Sequence, residues 1–200
     1  YRVTYVGDES TDLVEGSTPA SAAMELRRSL ERFHGRQDPK AVAEAWPCLA
    51  SEDRFISAAA RTALEHQPVD SWANKALTEA DPKTQLQALL SLARVAGVCP
   101  QHRTEDSSPV DTEMRYRILT AVLKLDNKEL DLQSQLVMQR LIQITLNRFG
   151  APEDSTRIAL ISSIDPLFPS KSDDLNWLLC ETLAFLESPQ GAATAMAKIQ

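Results

Sequence analysis

Glycine, aromatic residues and cysteine are all scarce in this chain. Six glycines and 6% aromatic residues among 200 argue against an all-β sandwich or barrel, which is built from aromatic- and β-branched-rich strands joined by many turns. The three cysteines, Cys48, Cys99 and Cys180, are odd in number and far apart. A disulfide framework is therefore not expected, and at most one pair can form. Positive charge is also in deficit: 28 acidic residues stand against 21 basic ones, a net charge of −7. Phosphate backbones need a basic surface, so no nucleic acid is expected as a partner. No apolar run has the length to span a bilayer, so no membrane insertion is expected. There is no phosphate-binding glycine loop, no His-Glu-x-x-His and no Gly-x-Ser-x-Gly. The chain opens on Tyr1-Arg-Val-Thr-Tyr-Val with neither a signal peptide nor an initiator Met. That reads as a piece of a longer protein whose localisation signals lie elsewhere.

What is present is alanine and leucine in helical register. Hydrophobic residues make up 43% of the chain, enough for a continuous core, and Ala and Leu both favour helix. The stretch around which the rest is organised is Ser51–Gln67. Phe55, Ile56, Ala59, Ala60, Ala63 and Leu64 are expected on the buried face of one helix, with Arg54, Ser57, Arg61 and Glu65 outward. Ser51 is expected to cap it, with Glu52 and Asp53 at the positive end of its dipole. A face made mostly of alanine lets a neighbouring helix approach closely.

Residues 1–6 alternate in the period of a β-strand, which must pair outside this chain or lie along the body as an extended arm. Residues 7–19 read as a linker. Helices are expected over 20–34, 39–49, 52–66, 70–79, 82–96, 111–125, 129–148, 153–164 and 173–187, with a last one from Pro189. Asp38-Pro39 and Asp81-Pro82 are helix starts. Pro47 should kink or end its helix, and residues 165–169, with two prolines, should be an extended connector. The polar stretch 98–110 is a long loop.

Short and long helices alternate, and the long ones begin about 30 to 47 residues apart, near the period of paired-helix arrays. One hairpin cannot bury its own apolar face, whereas stacked hairpins can. The expected fold is all-α: residues 1–19 as strand and linker, and residues 20–200 as an α-α superhelix of about four to five helix pairs.

No constellation for chemistry emerges. Cys99-Pro-Gln-His102 is half of a metal site at most, and structural zinc takes four ligands. His34 and His66 are placed at helix C-termini, where an imidazolium suits the dipole. Glu52-Asp53 and Asp173-Asp174 are first-turn acids whose neighbouring carboxylates point apart. Trp46, Trp72 and Trp177 sit on apolar stripes and are expected in the core. Arg27, Arg28, Arg32 and Arg36 make a basic cluster offset by Glu25 and Glu31. Arg27, Arg28, Arg54 and Arg61 are the candidate interaction surface. No catalytic residue, metal or cofactor is assigned.

Two stretches carry a family resemblance. Leu49-Ala-Ser-Glu-Asp-Arg-Phe-Ile-Ser-Ala-Ala-Ala-Arg-Thr-Ala-Leu64 and Asp81-Pro-Lys-Thr-Gln-Leu-Gln-Ala-Leu-Leu-Ser-Leu-Ala93 resemble the HEAT-repeat family in the inter-helix Asp and the Ala/Leu stripe. The first departs from it by carrying Phe55-Ile56-Ser57 where Val-Arg is usual, and the second lacks the Arg. The later pairs match in periodicity alone. The resemblance implies a curved right-handed superhelix and a non-catalytic scaffold that contacts a protein or the flanking domains of its own chain. Tyr1-Arg-Val-Thr-Tyr-Val-Gly7 with Phe33-His-Gly-Arg-Gln-Asp-Pro39 also resembles the region after a sugar-dehydrogenase-type β-propeller in large secreted proteins of planctomycete-like bacteria. That resemblance implies an extracytoplasmic spacer between a propeller dehydrogenase and a c-type cytochrome. The haem-attachment sequence Cys-x-x-Cys-His is not in this chain, so redox chemistry would belong to other parts. A helical small-molecule-binding domain is a further alternative.

Overall fold

A computed structural model describes residues 2–12 and 20–199. These residues are helical with no strand among them. Ten α-helices run in order: α1 (Ala22–Glu31), α2 (Ala41–Ala45), α3 (Arg54–Glu65), α4 (Ala73–Thr78), α5 (Pro82–Ala96), α6 (Thr112–Leu123), α7 (Leu132–Phe149), α8 (Asp154–Ile164), α9 (Asp173–Phe185) and α10 (Pro189–Ile199). The expected strand is not formed over residues 2–6, which have no ladder partner, and Val3 and Val6 are 96% and 92% exposed. An alternating pattern without a neighbouring strand leaves backbone groups to water. Tyr1 and residues 13–19 of the expected linker lie outside the described residues.

Each short helix packs against the long one that follows, as α2 on α3, α4 on α5, α6 on α7 and α8 on α9. Helices α1, α3, α5, α7 and α9 touch in succession, and α4, α6 and α8 form a second row. The core runs between the rows. Its first half mixes buried alanines, namely Ala41, Ala45, Ala59, Ala60, Ala63, Ala73, Ala76, Ala88 and Ala93, with larger residues such as Phe33, Leu64, Trp72 and Leu89. Its second half is built on larger residues such as Ile118, Leu119, Met138, Leu141, Ile142, Phe149, Leu160, Leu179 and Leu183. Each fully buried Leu or Ile contributes about 2 kcal/mol by removal of apolar area from water.

Helix starts follow local chemistry. Asp81 caps α5 by accepting from Thr84 N at 2.8 Å, Asp111 caps α6 from Met114 N at 2.9 Å, and Ser172 caps α9 from Leu175 N at 3.3 Å. Helix α3 is capped by Asp53, which accepts from Phe55 N at 2.8 Å, and not by Ser51. Ser51 Oγ instead accepts from Asp53 N at 3.3 Å, orienting the cap. The expected face of α3 is corrected at two positions. Ser57 is buried because its hydroxyl donates to Leu49 O at 2.7 Å, and Phe55 turns outward at 57% exposure. Pro47 ends α2 as expected, and the chain continues as a 3-10 turn over Trp46–Cys48. Residues 165–169 are not fully extended: Asp165–Leu167 make a 3-10 turn before the cis Phe168–Pro169 bond.

One bonding pattern recurs through the pairs. Four residues after each long helix's cap, a polar side chain reaches back to an upstream carbonyl, at the end of the preceding helical element for Ser57 and Gln85 and in the connecting loop for Gln135 and Asn176. Ser57 donates to Leu49 O at 2.7 Å, Gln85 to Leu77 O at 3.4 Å, Gln135 to Asn127 O at 3.1 Å, and Asn176 to Ser170 O at 2.9 Å. In the last two pairs the short helix reciprocates from the same position. Arg115 in α6 donates to Phe149 O at the end of α7 (2.9 Å), and Arg157 in α8 donates to Leu186 O at the end of α9 (3.3 Å). Helix ends leave carbonyls without intrahelical partners, and these donors satisfy some of them.

Candidate functional site

Long-helix side chains that do not enter the core form a face along α3, α5, α7 and α9. A groove of about 690 Å³ lies across the first three of these helices. Its lining includes the apolar Val137, the buried Leu49 and Leu86 behind it, and the polar Glu52, Arg54, Arg61, Lys83, Gln87 and Asp131. Arg54 and Arg61 come from α3, Lys83 and Gln87 from α5, and Asp131 from the cap of α7.

The walls divide into satisfied and unsatisfied charge. Lys83 Nζ lies 2.7 Å from Asp131 Oδ2, and Asp131 also accepts from Ser134 N at 2.8 Å. The Lys83 ammonium, and after it Ser134, holds the Asp131 carboxyl far below the usual carboxylate range; the same contact raises the Lys83 ammonium. Asp131 thus serves as the cap of α7 and the partner of Lys83. Arg61 differs. It is half-buried, and its Nε has no hydrogen-bond partner within the described residues. Burial, and secondarily the Arg94 cation, lowers its guanidinium from its ordinary value, while Glu65 opposes that shift. A guanidinium remains charged in any case. Glu65 itself is engaged by Arg94 Nε at 3.0 Å. Gln87 Oε1, on the facing wall, is likewise buried without a partner. Arg54 is exposed, and its guanidinium lies 5.1 Å from the Phe55 ring centre.

The structure brings two of the four candidate arginines to this groove. Arg27 and Arg28 belong to α1 and do not line it. Arg27 Nε pairs with Glu31 at 3.0 Å, with poor hydrogen-bond alignment, and Arg28 is exposed. Arg32 of the same cluster pairs with Glu44 at 2.5 Å. Lys83, Gln87 and Asp131 were not singled out by sequence reasoning. The signal was there in part: Lys83 and Gln87 are four apart on α5 and share a face, and Asp131 precedes α7 as Asp81 precedes α5.

Other expectations fall as follows. Trp72 is buried at 1% exposure. Trp46 is buried too, its Nε1 donating to Glu79 at 2.7 Å and its ring lying 4.1 Å from the Lys75 ammonium. Trp177 is not in the core: it stands 70% exposed on α9, because no helix covers that side of the row among the described residues. His66 caps α3 at its C-terminus, and His34 Nε2 lies 2.9 Å from Ala59 O. Cys48 is half-buried, which raises its thiol, and Cys180 is exposed although it lies within an apolar helical pattern. Cys99 and His102 sit on a 3-10 turn, and no group of three or more metal-ligating side chains occurs among the described residues. Among the described residues, no helix is long and apolar enough to cross a membrane.

The arrangement places three cations, two carboxylates and the Gln87 carboxamide along three neighbouring helices. Comparison with known protein families, with characterised proteins and with solved structures gives no match.

Proposed function

We propose that this segment is a non-catalytic helical-repeat scaffold of HEAT-like type, a right-handed α-α superhelix whose long-helix face receives a protein partner or a flanking domain. The observation that carries this reading is the bond recurring four residues after each long-helix cap, from Ser57, Gln85, Gln135 and Asn176. A bond at one offset in successive hairpins supports the hairpin as the repeated unit, and units of this kind are stable against their neighbours. The continuous outward face of α3, α5, α7 and α9 is the surface such stacking leaves open. Chemical cross-linking within the full-length parent protein tests it. Cross-links from flanking domains or a co-purifying protein onto these four helices are expected. Their absence, with cross-links confined to α2, α4, α6 and α8, overturns the reading.

A second reading is a spacer between a propeller dehydrogenase and a c-type cytochrome, in an extracytoplasmic protein. Residues 2–12 favour it, being exposed throughout and bringing Val3, Tyr5 and Val6 into water, as an arm that pairs with a neighbouring sheet would. Blade-like strands encoded upstream and Cys-x-x-Cys-His downstream are the expected outcome of sequencing the parent gene; flanks without them eliminate this reading.

A further inference from the structure

We infer that the groove across α3, α5 and α7 docks an extended, acidic peptide segment, with carboxylates seated on Arg54 and Arg61 and a backbone amide of the peptide on Gln87. The inference rests on the scaffold reading and names the chemistry of its partner.

Three observations lead there. First, the chain as a whole is acidic, at −7, yet this groove is not. Of its three cations only Lys83 has an ion-pair partner, Asp131. Arg54 and Arg61 have none among the described residues. Second, Arg61 Nε and Gln87 Oε1 have no hydrogen-bond partner among the described residues, and a polar atom left in that state is destabilising. Both atoms are closed to solvent as they stand, so a peptide reaches them only as the two side chains turn toward the groove, where it supplies a carboxylate for the guanidinium and an N–H for the carboxamide oxygen. Third, the spacing suits an extended chain. Arg54 and Arg61 are two helical turns apart on one face, about 10 Å along the axis at 1.5 Å per residue. A polyproline-type strand returns a side chain to the same face every three residues, after about 9 Å. Carboxylates at every third residue therefore match the spacing of the two arginines, with the partly exposed Val137 beside them.

The test uses fluorescein-labelled peptides of Glu-Ser-Pro triplets, with Lys-Ser-Pro and Gln-Ser-Pro triplets of equal length, in anisotropy titrations against the intact segment. Binding of the acidic peptide alone is expected, weakening as salt rises. Arg61→Gln should weaken it about tenfold, as loss of one charge-assisted bond implies. Arg54→Glu, a reversal at an exposed position, should weaken it at least as much with an unchanged thermal midpoint. Arg28→Gln, on α1 and outside the groove, should leave it unchanged. The inference is overturned if the acidic peptide does not bind, if the lysine peptide binds equally, if the groove substitutions have no effect, or if a single-stranded oligonucleotide competes as well as the peptide. Cross-links that place a partner on the α7/α9 side, with no acidic-peptide binding here, would remove this inference while leaving the scaffold reading in place.

Discussion

The α2/α3 and α4/α5 hairpins face the same closure problem as α6/α7 and α8/α9, and solve it with different chemistry. In the first two, many of the buried positions are small: Ala41, Ala45, Ala59, Ala60, Ala63, Ala73, Ala76, Ala88 and Ala93, with Trp72 the largest fully buried side chain beside them. In the last two, the buried residues are mostly larger, and arginines of the short helices bond the ends of the long ones, Arg115 to Phe149 O and Arg157 to Leu186 O. Burial of small apolar side chains is insensitive to salt, whereas a guanidinium on a carbonyl relies on a bond whose loss leaves the carbonyl bare. The lesson is that successive hairpins need not share their glue.

The sharpest break in this comparison is expected at Trp72. Trp72→Ala removes the largest fully buried side chain and should lower stability by about 3–5 kcal/mol, read from urea denaturation. A cost confined to about 1 kcal/mol would show that the alanine seam, and not the indole, holds the first half. Next comes Arg115→Met, which keeps most of the apolar stem and deletes the bonds to Phe149 O and to Glu153 at 2.5 Å. The expected loss is about 2–3 kcal/mol. Hydrogen exchange should show it concentrated at the ends of α6 and α7, with α3 unaffected.

A smaller effect depends on pH. The Asp81 N–H, then the Trp46 indole N–H, hold the Glu79 carboxyl below its ordinary value. A lowered acid pKa gives stability that is present above the unfolded value, about 4.3 for Glu, and is lost as pH falls through the folded value. Glu79→Gln should therefore reduce the thermal midpoint at neutral pH, and the gap to the parent chain should shrink in more acidic buffer. A gap independent of pH would mean that the carboxylate charge contributes nothing. The smallest change is expected at Glu187, which has φ of 57° just past α9. That left-handed conformation suits glycine, so Glu187→Gly should raise stability by about 0.5–1 kcal/mol, visible as a modest rise in midpoint.

Much of the fold was legible in the chain because it depends on near neighbours. The helix start at Asp81-Pro82, the stop at Pro47 and the apolar stripe of α5 all follow from residue type and spacing. The joints did not. Ser57, Gln85, Gln135 and Asn176 share a position and not a residue type, and each bonds a backbone carbonyl that every residue offers equally. Ser57 shows the cost: periodicity put it outside, and its bond to Leu49 O drew it in at the expense of Phe55. Arg115 and Arg157 look like surface charge until the far helix end is known. Of the groove, Arg54 and Arg61 were visible as outward cations on one helix, while Lys83, Gln87 and Asp131 join them only through contacts between helices. Trp177 carries the opposite lesson, since an apolar stripe says nothing of whether a neighbour is there to cover it.

Arg148 has a consequence for the polar loop that precedes α6. Its Nη1 donates both to Arg94 O at 2.6 Å and to Gly97 O at 2.7 Å, fastening the exit of α5 to the last turn of α7. Gly97 allows it, because a Cβ there would come within 2.6 Å of the Phe149 ring. With its departure point fixed in this way, and Asp111 fixing the return, the stretch between them works as a free handle whose length matters little: lengthening an already closed loop costs only about 0.6 kcal/mol per doubling. A reporter domain spliced between Glu105 and Asp106 should ride on the outside of the array and leave both rows of helices as they are.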